Sequence, residues 1–368
     1  MKQDQDMTKA KTLYLSAQFD AALDIFRKLA SKGNGEAMYF LGEYYAQGYG
    51  HTAQDLKKAE SWRKKGAAAG NILARLNTAY HMPGGSLARK ELEDLLFPEL
   101  LRASEAGDVF AMNELGDMYL YGFGTKVSTE EGVRWLEKAA FWRPWNKLGE
   151  IYYHGEGVAQ DKEKGRAYFE KAAALGYGDA EGNLAMYWYN EHDDHEKTIS
   201  FLRRAFAHGA LYEGDIANFL AMMYLEGVGV KKDEKTAFAW MQRAGEAGSP
   251  AGMNHLAIFY DRGIGTGKNH DLAKKWCKKA ADAGQVQAMV QYGIYLREDG
   301  TPAKAISYFQ KAADMGDASG MTWLGSSYLY GIGTKQDNEK ARQWLEKGSA
   351  KGDEDAKDML EELKSGGN

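Results

Sequence analysis

Side chains that could ligate a metal stand close together at one place in the sequence. The run His192-Asp193-Asp194-His195 offers two imidazoles and two carboxylates, which are common zinc ligands. The run lies where a polar turn between two short helices is expected, and a surface turn neither excludes water nor fixes ligand geometry. We therefore predict no metal at these histidines and no cofactor elsewhere in the chain.

A glycine-rich stretch invites comparison with a phosphate-binding loop. Residues 262–269 read Arg-Gly-Ile-Gly-Thr-Gly-Lys-Asn. The first glycine of the phosphate-binding motif would fall on Arg262, no serine or threonine follows Lys268, and no strand pattern precedes the stretch. The sequence therefore gives no support for a nucleotide site.

Nucleophilic catalysis has little support. No Gly-x-Ser-x-Gly sequence occurs, and the chain has one cysteine, Cys277. Its equivalents in other parts of the chain are large apolar residues, namely Leu136, Phe169, Leu202, Met241, Phe309 and Leu345. We predict that Cys277 is a core residue, that no residue is catalytic and that the protein is not an enzyme.

A residue pattern that recurs about every 36 positions accounts for most of these features. The block Leu-Gly-x-x-Tyr-x-x-Gly-x-Gly, with some substitutions in kind, starts at Leu41, Leu115, Leu148, Leu220, Leu256 and Leu324. A second block follows, with a small residue, an aromatic residue three positions later and a basic residue three positions after that, as in Ala59, Trp62 and Lys65. A fixed period of this length is typical of stacked helical hairpins.

Each period contains signals for two helices. Glycines at the position of Gly48 are placed to end the first helix, because a left-handed C-terminal cap costs glycine little. Asp161, Asp233 and Asp337 stand where an N-cap would begin the second helix. Thr301-Pro302 replaces this signal in a copy without the glycine loop.

These blocks resemble the Sel1-like repeat family, relatives of the tetratricopeptide repeat. The resemblance implies an all-α, right-handed α/α superhelical solenoid of about ten hairpins. We expect one array over 1–368, which ends in a capping helix and polar tail at 353–368. The approximate repeats are 7–34, 35–70, 71–107, 108–142, 143–176, 177–211, 212–248, 249–284, 285–316 and 317–352.

The resemblance also implies a function in protein–protein interaction, as an adaptor or scaffold. One alternative is an immunity or inhibitor protein that neutralises a bacterial toxin or secreted effector. A remote alternative is a β-lactamase-like hydrolase, since some relatives rich in cysteine are linked to that activity.

We call the side of each first helix opposite its apolar stripe the groove face. It comprises the positions 5 and 2 residues before, and 2, 5 and 6 residues after, the core leucine. In the resembled family this side lines the concave groove. It carries nine acidic residues, Glu36, Glu43, Asp117, Glu150, Asp179, Asp215, Glu226, Asp261 and Glu298, and three basic ones, Arg143, Arg262 and Arg297. The expected partner segment is therefore basic.

Asparagine recurs on the groove face, and its side chain can both donate to and accept from a peptide backbone. A ladder of asparagines therefore suits a partly extended partner segment, although an exposed face is polar in any case. The predicted partner-binding residues are Tyr39, Glu43, Asn113, Asp117, Asn146, Glu150, Tyr153, Tyr189, Asn218, Glu226, Asn254 and Asp261.

Two tryptophans flank a proline in an irregular junction between repeats. Trp142 and Trp145 could change the local packing of the hairpins or leave an exposed aromatic anchor for a partner, because aromatic residues are favoured at interface hot spots. Both alternatives remain open at the level of sequence.

Composition excludes several classes of partner. The net charge is −5 and no basic tract occurs, so nucleic acid is not expected. No apolar run is long enough for a membrane span, and no small-molecule substrate is expected. The polar start predicts a cytoplasmic protein as written, or a periplasmic or secreted one if a signal peptide has been removed.

Overall fold

The computed structural model describes residues 2–50, 52–83 and 85–365. These residues form 21 α-helices and no β-strand. Their contacts group into two compact units, Met1–Tyr212 (unit 1) and Glu213–Asn368 (unit 2). The predicted all-α fold is confirmed.

Unit 1 contains twelve helices in its described part. They are α1 (Lys2–Leu15), α2 (Phe19–Ala30), α3 (Gly35–Gln47), α4 (Leu56–Ala68), α5 (Ile72–Tyr80), α6 (Leu87–Glu105), α7 (Val109–Tyr121), α8 (Thr129–Ala139), α9 (Trp142–His154), α10 (Lys162–Ala173), α11 (Gly178–His192) and α12 (His195–Ala207).

Unit 2 contains nine helices in its described part. They are α13 (Glu213–Glu226), α14 (Glu234–Glu246), α15 (Pro250–Arg262), α16 (His270–Asp282), α17 (Val286–Glu298), α18 (Pro302–Asp314), α19 (Ala318–Tyr330), α20 (Asn338–Ala350) and α21 (Glu354–Ser365).

Consecutive helices pack in pairs from α1 with α2 to α19 with α20, which gives ten hairpins among the described residues. Helix α21 packs on the last pair, against α20 and α19. Within each unit a hairpin buries its apolar side against the next, which is how repeat proteins form a continuous core.

The helix ends follow the predicted signals in most repeats. The carboxylates of Asp161, Asp233 and Asp337 each accept backbone N–H groups in the first turn of the second helix. Gly48 ends α3 in the left-handed conformation, with φ of 74°. Thr301 differs, because its hydroxyl donates to the carbonyl of Leu296 at 3.0 Å instead of capping α18.

The small positions of the repeat allow close helix packing. A Cβ atom on Gly149 of α9 would lie 2.4 Å from the ring of Phe169 on α10. The repeated basic residue also has a structural explanation, because it lies over the aromatic ring one turn before it. Examples are Lys65 over Trp62, Lys138 over Trp135, Lys279 over Trp276 and Lys347 over Trp344, at 4.0 to 4.5 Å from the ring centroid.

Candidate partner-binding face

Aromatic residues of unit 1 pack against much of the groove face of that unit. The ring of Tyr14 on α1 contacts those of Phe40, Phe110 and Trp142 at centroid distances of 5.0 to 5.9 Å. The indole Nε1 of Trp142 donates to the Tyr14 carbonyl at 2.9 Å. Residues far apart in the sequence thus form one aromatic core inside unit 1.

This packing corrects three predictions of solvent exposure and decides between the two alternatives for Trp142. Tyr39 and Asn113 are 3% exposed, and Trp142 is 0% exposed, so Trp142 is not an exposed anchor. Trp145 is half-buried against the same core. The third wrong prediction concerns Glu43. A helical-wheel argument assumes that each helix packs on one side, whereas α3 is buried on almost every side.

Glu43 is an interior ion-pair partner, with 3% of its side chain exposed. Its two carboxylate oxygens accept from Arg63 of α4 at 3.0 Å and from Arg143 of α9 at 2.8 Å. Burial alone would raise the pKa of Glu43, but the guanidinium groups of Arg143 and Arg63 outweigh burial and hold that pKa below its usual value. Glu43 therefore ties three helices together.

A second polar cluster lies on α7 and α9. Lys147 pairs with Asp117 at 2.6 Å, and Asn113 donates to Glu114 at 3.2 Å. Burial, together with the nearby Asp117 carboxylate, raises the pKa of Glu114 to about 7. Lys147 and Asp117 thus compensate each other within unit 1, whereas the charged form of Glu114 is disfavoured.

Asn146 and Glu150 are also engaged inside unit 1. The Asn146 amide donates to Glu150 at 2.9 Å and accepts from Asn183 of α11 at 3.0 Å. The tyrosines differ: Tyr153 donates to Glu191 at 2.9 Å, whereas Tyr189 is 36% exposed. The structure brings these residues together along α9 and α11, and their role in partner binding stays a prediction.

The His192-to-His195 segment has structural roles. Asp193 ends α11 in the left-handed conformation, and Asp194 caps α12 by accepting from the Lys197 N–H. His192 lies 2.7 Å from the Tyr187 hydroxyl through Nε2. No group of three or more His, Cys, Asp or Glu side chains suited to a metal occurs among the described residues.

Unit 2 presents a polar cleft on its groove face between α15 and α17. The cleft has a volume of about 210 Å³. Its polar lining includes Asn254 and Asp261 of α15 and Gln287, Gln291 and Tyr295 of α17. Burial raises the pKa of Tyr295 to about 12, so its phenol stays protonated at neutral pH. No side-chain hydrogen bond holds Asn254 in the described part of the chain.

The neighbouring helix α13 extends this polar face. The side-chain oxygen of Asn218 lies 2.8 Å from Nδ1 of His255 on α15. Burial lowers the pKa of His255, so that imidazole is neutral at neutral pH. Glu226 at the end of α13 is exposed. The structure thus places Asn218, Asn254 and Asp261 on adjacent first helices of one unit.

Sequence reasoning missed His255 and Gln291, which stand one residue before the core position of their helices. That position was left outside the groove face because only the side opposite the core leucine was considered. A wider face would have included both residues, since the cleft between two helices exposes their flanks as well.

Cys277 lies beneath this cleft and is fully buried. Its thiol lies 3.4 Å from the Ala288 carbonyl, and burial raises its pKa to about 12. The thiolate that a nucleophile requires is therefore disfavoured. The predicted place of Cys277 in the core is confirmed.

None of the helices in the described residues combines the length and the apolar character needed to cross a bilayer.

A family model described as the Sel1 repeat matches seven stretches of the chain. They are residues 35–71, 109–140, 146–177, 217–249, 250–285, 286–317 and 318–353.

Several solved structures are similar to this chain. A Sel1 repeat protein from Oxalobacter formigenes is 29% identical over 82% of this chain and 89% of its own, with a TM-score of 0.62. The protective antigen c5321 of uropathogenic Escherichia coli, which displays an SLR fold, is 26% identical over 89% and 79%, with a TM-score of 0.41. The immunity protein Pa5087 from Pseudomonas aeruginosa is 19% identical over 67% and 82%, with a TM-score of 0.34. No curated protein matches the chain by sequence.

Proposed function

The chain belongs to the Sel1 repeat family, and from that premise we propose that it is a non-enzymatic interaction protein that binds a basic, extended segment of another protein. The proposed binding site is the groove face of α13, α15 and α17 in unit 2. The amide-lined cleft between α15 and α17 is the observation that carries this proposal.

Side-chain amides suit this cleft for binding a peptide backbone. Gln287 and Gln291 are four residues apart and therefore share one side of α17, opposite Asn254 of α15. Each amide can donate to a backbone carbonyl and accept from a backbone N–H. An extended segment exposes both groups, whereas a helix has already paired them internally.

Charge on the same face favours a basic segment. Asp215, Glu226, Asp261 and Glu298 are exposed groove-face carboxylates of unit 2. They outnumber the two groove-face arginines, Arg262 and Arg297. One charge of each sign, Asp261 and Arg262, lines the cleft itself, so the excess of negative charge comes from the rest of the groove face. Complementary charge of this kind raises the rate of association and excludes acidic competitors.

Unit 1 is a weaker candidate for the same role. Three of its groove-face acids, Glu36, Glu43 and Asp117, already form ion pairs with lysine or arginine. A partner would have to displace internal partners there, at a cost in desolvation and lost hydrogen bonds. The proposal therefore confines the predicted groove to unit 2.

Random dodecapeptides displayed on phage and selected on the full chain test this function. We expect the selected peptides to be rich in lysine and arginine. The variants Asn254→Ala and Gln291→Ala should each weaken binding of a selected peptide by about 1 to 3 kcal/mol, because each leaves a buried peptide group unpaired.

Gln310→Ala is the matched control, since Gln310 is a half-buried amide of α18, a second helix, and its side chain donates to Asp314 of the same helix at 2.8 Å. Calorimetric titration of each variant gives the dissociation constants. If the two cleft variants bind as tightly as the Gln310→Ala control, the peptide does not occupy the cleft and the proposed site is wrong.

A further inference from the structure

Arg297 at the end of α17 is a cation without a counter-charge. Its guanidinium carbon lies 4.8 Å from the centroid of the Trp323 ring on α19. No described residue forms an ion pair or a hydrogen bond with this guanidinium, and its Nη1 is enclosed without a partner. Its Nε and Nη2 have no hydrogen bond either and stay open to solvent, since neither is among the enclosed atoms.

This arrangement is unusual within the chain. Among the other half-buried arginines of the described residues, four pair with a carboxylate, namely Arg63 with Glu43, Arg75 with Glu99, Arg143 with Glu43 and Arg166 with Glu163, and the fifth, Arg89, donates to the Met82 carbonyl at 3.4 Å. Close to Arg297, Asp299 is already paired with Lys274. The immediate neighbourhood therefore leaves the Arg297 charge uncompensated.

Partial burial of an unpaired guanidinium is unfavourable, because water that would solvate it is excluded. Stacking on an indole recovers only part of this cost, about 0.5 to 2 kcal/mol. The position over the Trp323 ring leaves the guanidinium edge that carries Nε and Nη2 open to solvent. A planar carboxylate matches that edge with two parallel hydrogen bonds.

We propose that Arg297, held over Trp323, is a carboxylate-binding site that takes an acidic side chain of the bound segment. The identity of this occupant rests on the proposed function, whereas the site itself does not. Arg297 lies on the same groove face as the cleft and on the same helix as Gln291. The bound segment is therefore mainly basic and carries one acidic residue that pairs with Arg297.

Titration of the uniformly ¹⁵N-labelled full chain with sodium acetate tests the site. The probe signal is the indole N–H of Trp323, assigned by its loss in Trp323→Phe. We expect a saturable shift of this signal that sodium chloride at equal ionic strength does not produce. Arg297→Gln should abolish the shift, and Arg297→Lys should weaken acetate binding at least tenfold, because lysine lacks the planar fork.

Arg342→Gln is the matched control, since Arg342 is an exposed arginine on α20 and should leave the acetate titration unchanged. Three results would overturn the site. They are the absence of an acetate shift in the wild type, the same shift with sodium chloride, and a shift that persists in Arg297→Gln. Arg297→Lys keeps the positive charge, so it provides a folded comparison if the glutamine variant does not fold.

The occupant is tested with a selected peptide that contains one glutamate and with its glutamine counterpart. We expect the glutamine peptide to bind the wild-type chain at least tenfold more weakly and both peptides to bind Arg297→Gln equally. An equal affinity of both peptides for the wild type overturns the occupant. If no peptide binds while acetate does, the proposed function fails and the carboxylate site stands.

Discussion

Replacement of Arg143 with methionine would leave the interior carboxylate of Glu43 with one cation in place of two. Loss of one partner of a buried ion pair costs roughly 3–5 kcal/mol, because the remaining charge is buried without compensation. Arg63 still contacts Glu43 at 3.0 Å, and 26% of the Arg143 side chain is exposed. We therefore expect Arg143→Met to lower the free energy of unfolding of unit 1 by about 3 kcal/mol.

For a unit of this size, about 1 kcal/mol corresponds to about 2–4 °C in Tm, so the unfolding transition of unit 1 should fall by about 6–12 °C. Calorimetry of the full chain gives the transition, and hydrogen exchange of α3 and α9 assigns it to unit 1. The control Arg134→Met removes an exposed pair with Glu131 and should cost less than about 1 kcal/mol.

The cost should depend on pH in a defined direction. The pKa of Glu43 is lowered in the folded chain, so its contribution to stability is present above the pKa of the unfolded chain and is lost as pH falls through the lowered value. Without Arg143 the carboxyl takes up a proton at higher pH, and the difference between variant and wild type should shrink in acid. Glu43→Gln combined with Arg143→Met should recover most of the loss. A cost equal to that of Arg134→Met, or one independent of pH, would refute this reasoning.

Two further predictions concern single positions in unit 1. Because the pKa of Glu114 is raised to about 7 in the folded chain, its ionisation destabilises unit 1 as pH rises from about 4 through 7. Glu114→Gln should therefore have a higher Tm than the wild type at pH 8, and this difference in Tm should disappear towards pH 5. A difference in Tm that grows in acid would contradict the prediction. Gly149→Ala should destabilise by about 1–3 kcal/mol, since the added methyl group meets an aromatic ring of α10. A Cβ on Gly182 would meet no atom within 4 Å, so Gly182→Ala should leave the free energy of unfolding unchanged or raise it. Urea unfolding measures both variants, and an equal loss of stability in Gly149→Ala and Gly182→Ala would contradict the packing argument.

The fold was predictable because its signals are local and repeated. A glycine that ends a helix or an aspartate that caps one, such as Gly48 and Asp161, acts within one turn of its own position. Agreement of these signals over successive copies also predicted the hairpins. The all-α fold and the core position of Cys277 followed from that register.

The groove face of unit 1 was less predictable, because its burial depends on contacts between distant repeats. Glu43 and Arg143 stand on the groove face by helical phase, yet they meet inside unit 1 across 100 residues of sequence. Trp142 is buried against Tyr14 for the same reason. Helical phase states which side of a helix a residue occupies, but it does not state what packs against that side.

In unit 2 helical phase predicted more of the face. Asn254 and Asp261 line the cleft, as their groove-face positions suggest. The absence of a counter-charge at Arg297 could not be predicted, because it depends on where Asp299 and Lys274 pair. Such an unpaired cation becomes visible only when every nearby carboxylate has been located.

Hydrogen–deuterium exchange of the full chain with and without a selected basic peptide tests the central claim most directly. Peptide binding across the groove face should slow exchange in α13, α15 and α17, because the bound segment excludes water and restrains opening of these helices. The second helices α14, α16 and α18 should change less. Protection confined to unit 1, or to the second helices of unit 2, would contradict the account.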